Sequence, residues 1–451
     1  MSFILGQGEG HTVKDRARFG TPELERAVLV GVYLPERPPE DPPLAELEGL
    51  AEAAGVEVVG KLVQRRQAPD PTYYVGKGKL EELKTLITER RAETVIFDND
   101  LTPAQTRNLE NALRVKVLDR TELILDIFAT RARTHEARIA VELAQLEYTR
   151  PRLRRMWTHL ERLRRGVGLR GPGEKQLEVD RRLIDRRIHE LRRELAVIER
   201  RKKREVSARH DCFTVSLVGY TNTGKSTLLN ALTGSDVFVH DMLFATLDTR
   251  TRRWVIPGWG TVLLSDTVGF IRDLPHHLVA SFRATLEEAR QADLLLHVAD
   301  ASHKQVLEQI RAAYRVLEEI GIEQKDTILV LNKIDLVSDR SRIETLLNVH
   351  PTAIPVSAHT GEGLDRLTAA VREALSRRMI ELEVLTTIDN GRLLAFLAAN
   401  SEVLSREFHD SMVRVHCRIA AQHLGFIRHL GGKTNWQEVP EDEAIPTGAV
   451  E

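Results

Sequence analysis

Hydrophobic and polar residues alternate along residues 26–133 in a pattern that predicts strands and helices in turn. Short apolar runs rich in β-branched residues predict strands, and stretches with apolar residues every three or four positions predict helices. The predicted strands are 27–34, 56–63, 94–100 and 115–119, and the predicted helices are 44–55, 78–91, 102–113 and 121–132. Because such alternation places successive strands in parallel, this part predicts a small parallel α/β domain.

Two stretches further along the chain repeat apolar residues every seven positions, a pattern typical of coiled coils. The repeating positions are Ile139, Leu146, Leu153 and Leu160 in the first stretch and Leu177, Ile184, Leu191 and Ile198 in the second. The glycine-rich connection 165–174 is not expected to stay helical, so the two stretches predict an antiparallel helical hairpin with its tip there. Pro151 predicts a kink or a restart in the first helix.

A second alternation of strands and helices begins near residue 210, and a short strand–helix–strand pattern follows it. The first of these regions predicts a second α/β domain. The second predicts a small α+β domain, and its sequence has no cluster of acidic, basic or metal-ligating residues. The predicted segments are a flexible tail 1–25, an α/β domain 26–133, a helical hairpin 134–209, a second α/β domain 210–379 and a C-terminal domain 380–451.

The composition of the 451 residues, 42% hydrophobic and 29% charged, is typical of a soluble globular protein. No apolar run approaches the ~20 residues of a membrane span, and the N-terminus lacks the pattern of a secretory signal. Cys212 and Cys417 are too few for a disulfide framework, which indicates a reducing cytoplasm.

Positive charge is concentrated in residues 131–209, which hold 24 Lys and Arg against 12 Asp and Glu. Since the whole chain has a net charge of −1, the rest carries −13. A basic segment in an otherwise acidic chain is a candidate contact for a polyanion such as RNA. The alternative is a long solvated helix rich in ion pairs between residues four apart.

Residues 219–226 have the spacing G-x-x-x-x-G-K-[ST] of a phosphate-binding loop, between an apolar strand (213–218) and a helix (225–232). In such loops backbone N–H groups and the helix N-terminus surround the phosphates. The lysine then reaches the β- and γ-phosphates and the serine hydroxyl coordinates Mg²⁺. The predicted nucleotide contacts here are Gly219, Tyr220, Thr221, Asn222, Thr223, Gly224, Lys225, Ser226 and Thr227.

A second predicted strand begins at 261 and has Asp266 at its C-terminal end, within the sequence TVLLSDTVGF at 261–270. Asp266 is expected to hold the magnesium ion through a water, and the Gly269 N–H to contact the γ-phosphate, with Thr267 and Val268 between them. The next position often carries a glutamine that orients the attacking water. Phe270 cannot do this by hydrogen bonding, so something else must complete the catalytic site.

Base recognition is predicted from NKID at 332–335, which follows another apolar strand. The Asp335 carboxylate can accept hydrogen bonds from N1–H and the 2-amino group of guanine, and adenine offers neither donor there. Asn332 and Lys333 are expected to brace the loop and cover the ring. The predicted residues around the base are Asn332, Lys333, Ile334, Asp335, Ser357 and Ala358.

A mobile threonine that closes on Mg²⁺ and the γ-phosphate is expected between the first two motifs. Thr246, Thr249 and Thr251 are equal candidates on chemistry alone.

With these motifs together, the chain resembles the HflX family of translational GTPases. The resemblance covers most of the chain and rests on GYTNTGKSTLLNAL, LFATLD, DTVGFI, NKID, the stretch 278–302 and the sequence RGPGEKQLEVDRR at 170–182. It implies a Ras-like GTPase domain at 210–379, GTP or GDP with Mg²⁺ as bound groups, and a monomer off the ribosome. It also points to Thr246 as the Mg²⁺ threonine, within the nucleotide-contacting segment Phe244, Ala245, Thr246, Leu247 and Asp248.

The resemblance implies the large ribosomal subunit, its rRNA and proteins, as the partner, and ribosome splitting or rescue under stress as the role. Three sources are candidates for the missing catalytic charge: the ribosome, a K⁺ ion held by Asn222, or an internal arginine such as Arg250 or Arg272. The alternatives are a GTPase acting on another RNA or on an assembly intermediate, and a nucleotide-gated scaffold.

Overall fold

The computed structural model describes most of the chain in twelve ranges, and it divides the chain into two units. The first unit holds the described residues up to 192 together with 243–244, and the second holds the remainder. The described ranges are 24–35, 42–153, 172–207, 213–235, 243–244, 249–257, 259–272, 288–319, 321–322, 325–377, 379–420 and 423–435.

A four-stranded parallel sheet forms the core of the N-terminal region, in the strand order β2-β1-β3-β4. Its apolar residues, such as Val30, Val95 and Phe97, are almost completely buried. The predicted parallel α/β fold is therefore confirmed. The elements are β1 Glu25–Tyr33, α1 Ala45–Ala53, β2 Val56–Arg65, α2 Lys77–Arg90, β3 Thr94–Phe97, α3 Pro103–Leu113, β4 Lys116–Asp119 and α4 Arg120–Arg131.

At the carboxyl edge of this sheet, polar side chains form ion pairs and hydrogen bonds within the protein. The Arg120 guanidinium, 3% exposed, pairs with Asp98 at 2.7 Å and with Glu46 at 2.9 Å. The Asn99 amide donates to the Val32 carbonyl and accepts from the Val32 N–H. Ligands of open α/β sheets usually bind at this edge. Here the side chains of Asp98, Asn99 and Arg120 are engaged in contacts within the protein.

Two long helices follow, α5 His135–Leu153 and α6 Pro172–Ser207. Ion pairs of 2.7 Å, Arg187–Glu142 and Arg192–Glu147, join them. The predicted tip 165–174 lies outside the described residues as far as 171, so the antiparallel hairpin stays a prediction.

Two details of these helices differ from expectation. Residues 172–174 were expected in the non-helical tip, but they form the first turn of α6. Proline suits that position because its missing N–H has no partner in a first turn anyway. A kink or a restart was predicted at Pro151; α5 continues through it to Leu153, so the helix does not restart at that residue, and the kink stays a prediction. The fixed φ of proline is itself helical.

A six-stranded sheet in the order β10-β9-β8-β5-β7-β6 forms the second α/β region. All its neighbours pair in parallel except β6 and β7, which pair antiparallel. Its elements are β5 Thr214–Val218, α7 Lys225–Thr233, β6 Arg250–Ile256, β7 Gly260–Asp266, β8 Leu294–Asp300, α8 Val306–Glu319, β9 Thr327–Asn332, α9 Arg340–Val349, β10 Ile354–Pro355 and α10 Leu364–Ser376.

The C-terminal region is an antiparallel sheet in the order β12-β13-β11-β14 with helices α11 and α12. Strand β12 was not predicted, because its apolar residues Leu404 and Phe408 face solvent and hide the alternation of buried apolar and exposed polar positions. The elements are β11 Met379–Thr387, α11 Gly391–Asn400, β12 Ser401–His409, β13 Met412–Ala420, α12 Leu424–His429 and β14 Lys433–Thr434. Among the helices of the described ranges, none is long and apolar enough to cross a membrane.

Candidate nucleotide site

The carboxyl ends of four neighbouring parallel strands, β5, β7, β8 and β9, meet at one edge of the six-stranded sheet. The phosphate loop follows β5, DTVGF begins at the last residue of β7, and NKID begins at the last residue of β9. Open α/β sheets bind ligands at this edge. The fold therefore brings together motifs that are up to about 110 residues apart in sequence.

Glycine is required at both ends of the phosphate loop, because a positive φ and a close neighbouring atom leave no room for a side chain at either position. A Cβ on Gly219, at φ 142°, would lie 2.2 Å from the Val298 carbonyl oxygen on β8. A Cβ on Gly224, at φ 84°, would lie 2.4 Å from the Asn332 amide nitrogen. The two glycines thus allow the loop to lie directly against β8 and the NKID segment.

The Lys225 ammonium group lies inside this loop, at the N-terminus of α7. Its Nζ donates to the carbonyl oxygens of Tyr220 at 2.7 Å and of Gly219 at 3.2 Å. Burial lowers the pKa of Lys225 to about 8, although the Asp266 carboxylate acts in the opposite direction. The loop therefore holds a buried cation whose charge an anionic ligand would stabilise.

A hydroxyl and a carboxylate meet beside the lysine. Ser226 Oγ donates to Asp266 Oδ2 at 2.5 Å, and Asp266 is completely buried at the end of β7. The Thr267 hydroxyl donates to the Leu217 carbonyl at 2.7 Å and fixes the start of the following loop to β5. Paired hard oxygen ligands of this kind suit Mg²⁺.

The rest of DTVGF crosses the phosphate loop. Phe270 forms a parallel β-bridge with Tyr220, in which the Thr221 N–H donates to the Phe270 carbonyl at 2.6 Å. The Phe270 N–H donates to the Gly219 carbonyl at 3.0 Å. The Phe270 side chain is 2% exposed, so it contributes packing to this segment.

Asn332 joins three parts of the site. Its Nδ2 donates to the Thr223 carbonyl at 2.8 Å, and its Oδ1 accepts from the Ala358 N–H at 3.0 Å. The predicted bracing role of Asn332 thus has a concrete geometry, because one buried amide links the phosphate loop to the Ser357–Ala358 turn.

The Asp335 carboxylate is exposed, and one of its oxygens accepts from the Ser357 hydroxyl at 2.6 Å. Lys333, in the left-handed region at φ 62°, pairs with Asp300 at 2.9 Å. No role was predicted for Asp300, because its place beside the NKID loop, at the end of β8 and next to β9, depends on the strand order of the sheet. The pair fixes the lysine stem beside the NKID loop.

The structure gathers nearly all predicted phosphate and base residues at one sheet edge. Ala245, Thr246, Leu247 and Asp248 lie outside the described residues, so the choice of Thr246 stays a prediction. Phe244 is described and belongs to the first unit, where its ring contacts the Phe128 ring edge-on at 4.6 Å between centroids. The predicted nucleotide contact of Phe244 also stays a prediction. The gathered residues are Gly219, Tyr220, Thr221, Asn222, Thr223, Gly224, Lys225, Ser226, Thr227, Asp266, Thr267, Val268, Gly269, Asn332, Lys333, Ile334, Asp335, Ser357 and Ala358.

Family models match the chain along most of its length. The matches are described as GTP-binding GTPase N-terminal (41–129), GTP-binding GTPase middle region (131–209), 50S ribosome-binding GTPase (214–333) and HflX C-terminal domain (343–439). The chain is 48% identical over 373 residues to GTPase HflX of Escherichia coli K12, which covers 82% of this chain and 87% of the relative. This chain belongs to the HflX family of GTPases.

A second relative agrees with this assignment. GTPase HflX of Caldanaerobacter subterraneus subsp. tengcongensis is 43% identical over 402 residues, covering 89% of this chain and 92% of that relative. A solved structure of a GTP-binding protein from Sulfolobus solfataricus in complex with GDP is 25% identical, with a TM-score of 0.43, and covers 78% of this chain and 99% of that one. As an HflX family member with its GTPase domain, the protein is a GTP hydrolase, and the resemblance inferred from the motifs is confirmed.

Proposed function

We propose that this GTPase binds the large ribosomal subunit in its GTP-bound form and hydrolyses GTP there to GDP and phosphate. The observation that carries the proposal is the match of residues 214–333 to the 50S ribosome-binding GTPase family. The basic segment 131–209 supports it, because Lys and Arg bind rRNA phosphates. Splitting or rescue of stalled ribosomes under stress, a cytoplasmic location and a monomeric free state belong to the same proposal.

The proposed roles of the described site residues are supported by their positions, and that of Thr246 by the family resemblance alone. Lys225 binds the β- and γ-phosphates, since its ammonium already lies among the loop carbonyls. Ser226 and Thr246 would hold Mg²⁺, and Asp266 would support it through a water. The ion supplies charge stabilisation at the phosphates when bound. Asn332 holds the base loop in place, and Asp335 binds guanine.

The activator is proposed to come from outside the site. Phe270 is buried and cannot orient a water, so the isolated protein should hydrolyse GTP slowly. Groups supplied in trans at such sites accelerate hydrolysis by about 10³–10⁵. The ribosome is the first candidate. Asn222, exposed in the loop at φ 59°, is the proposed ligand if K⁺ contributes.

Large ribosomal subunits should accelerate GTP hydrolysis at least tenfold, which corresponds to about 1.4 kcal/mol of barrier. The measurement is phosphate release by the purified protein with and without large subunits, at fixed K⁺ and Mg²⁺, together with sedimentation in the presence of a non-hydrolysable GTP analogue. Small subunits at the same concentration are the matched control.

Each outcome of that experiment distinguishes the alternatives. Stimulation by the large subunit alone supports the proposal. Absence of both stimulation and cosedimentation contradicts it and favours another RNA or an assembly intermediate. GTP-dependent binding without any stimulation favours a nucleotide-gated scaffold, in which hydrolysis only resets the switch.

GDP binding at about pH 8 should take up roughly half a proton per site. The pKa of Lys225 is about 8 without nucleotide, and bound phosphates raise it because they favour the ammonium form. The complex then binds more protons than the free protein, so GDP affinity falls as pH rises through about 8.

Calorimetry in two buffers of different ionisation enthalpy measures this uptake. At about pH 7 the lysine is already charged, so the uptake should fall to roughly a tenth of a proton. A binding enthalpy that does not depend on the buffer at pH ~8 would contradict contact between Lys225 and the phosphates.

A further inference from the structure

Among the described residues, three hydrogen bonds at 2.6–3.0 Å attach the segment after Asp266 to the phosphate loop. Two belong to the β-bridge between Tyr220 and Phe270, at 2.6 Å and 3.0 Å. In the third, the Arg272 N–H donates to the Tyr220 hydroxyl oxygen at 2.6 Å. Tyr220 is 6% exposed and Ile271 1% exposed, so this attachment lies in a buried environment where hydrogen bonds resist competition from water.

The attachment holds Gly269 against the groups that bind phosphate. A Cβ on Gly269 would lie 3.0 Å from Lys225 Nζ and 2.8 Å from the Thr221 Cα. The segment therefore packs directly on the loop, without space for another group between them. The Thr221 N–H, which points to phosphate in such loops, is used by the Phe270 carbonyl. A γ-phosphate held by Lys225 would compete with residues 269–270 for both the space and the donor.

One further group at this junction has no acceptor in the described structure. The Thr221 hydroxyl oxygen is buried, in a residue that is 5% exposed, and among the described residues it has no hydrogen-bond partner. Buried hydroxyls are normally paired, and an unpaired one costs free energy. Displacement of the segment by a phosphate would give this hydroxyl an acceptor.

We propose that Tyr220 is a positioning residue that sets the preference between GDP and GTP. Its hydroxyl holds the segment 269–272 across the phosphate loop, GDP binds without disturbing this attachment, and the γ-phosphate of GTP must release it. This inference rests on the proposed role of Lys225 in phosphate binding. Because releasing the segment costs free energy only when GTP binds, the Tyr220 hydroxyl lowers the affinity for GTP and leaves the affinity for GDP unchanged.

Tyr220→Phe in the full-length protein should therefore raise the affinity for a non-hydrolysable GTP analogue, relative to GDP, by about 2–12-fold, as expected for the loss of one neutral hydrogen bond. Calorimetric titration of both nucleotides measures the ratio. Tyr314→Phe, which removes a hydroxyl from a half-exposed tyrosine in α8, is the matched control and should leave the ratio unchanged. Hydrogen exchange of the Phe270 and Arg272 amides should be slow with GDP and faster with the analogue.

The outcomes separate this inference from the proposed function. An unchanged ratio in Tyr220→Phe, or amides equally protected with both nucleotides, would overturn the role of Tyr220 alone. Equal changes in both affinities would indicate a merely structural role and would also overturn it. Failure of the wild-type protein to bind either nucleotide would overturn the inference and the proposed site together.

Discussion

Lys225→Met should lower kcat/KM for GTP by about 10²–10³, the loss seen when one electrostatic donor to a reacting group is removed. In the described structure the Lys225 ammonium is buried in the phosphate loop, bonded to the carbonyls of residues 219 and 220. Methionine keeps most of the side-chain volume, so the substitution removes chiefly the charge and its hydrogen bonds. Steady-state phosphate release at several GTP concentrations measures the effect.

A stability measurement separates this loss from misfolding. The lowered pKa of Lys225 means that burying the charged ammonium destabilises the folded protein without nucleotide, and this cost is fully present at pH values below about 8. At neutral pH we therefore expect Lys225→Met to keep about the wild-type midpoint of thermal unfolding, although its kcat/KM falls. Lys304→Ala, which changes an exposed lysine between β8 and α8, is the control. Wild-type hydrolysis by the methionine variant would contradict the proposed role.

Local spacing made most of this site predictable. The glycines and lysine of the phosphate loop lie within eight consecutive residues, so their spacing is visible in the sequence. Each motif lies at the carboxyl end of a strand, and a parallel sheet brings these ends to one edge. The N-cap at Thr102 was predictable for the same reason, because its capping box with Gln105 spans only three residues.

Features that depend on distant contacts were not predictable. The Lys333–Asp300 ion pair joins two strands whose adjacency only the sheet order reveals. The hydrogen bond from the Arg272 N–H to the Tyr220 hydroxyl spans 52 residues, and tyrosine in that position has no sequence signal of its own. Strand β12 pairs locally with β13 and was missed for another reason, because its exposed Leu404 and Phe408 hide the alternation of apolar and polar residues.

Asp335→Asn should weaken GTP binding by about 10²–10⁴, because two hydrogen bonds to a charged acceptor are lost, each worth roughly 1.5–3 kcal/mol. Asp335 is exposed at the sheet edge, and the Ser357 hydroxyl at 2.6 Å fixes one of its oxygens. An asparagine there places an N–H₂ donor against the N1–H or the 2-amino group of guanine. Direct titration with GDP and with a non-hydrolysable GTP analogue measures the loss.

The same variant should gain affinity for xanthine nucleotides, which carry a carbonyl in place of the 2-amino group and can accept from the new amide. A reversed preference would show that Asp335 reads the base, since general damage to the site weakens both nucleotides alike. Asp339→Asn is the matched control: this exposed residue is the N-cap of α9, where asparagine caps equally well. Unchanged GTP affinity in Asp335→Asn would contradict the assignment, and so would a loss of both guanine and xanthine nucleotides with normal binding in the control.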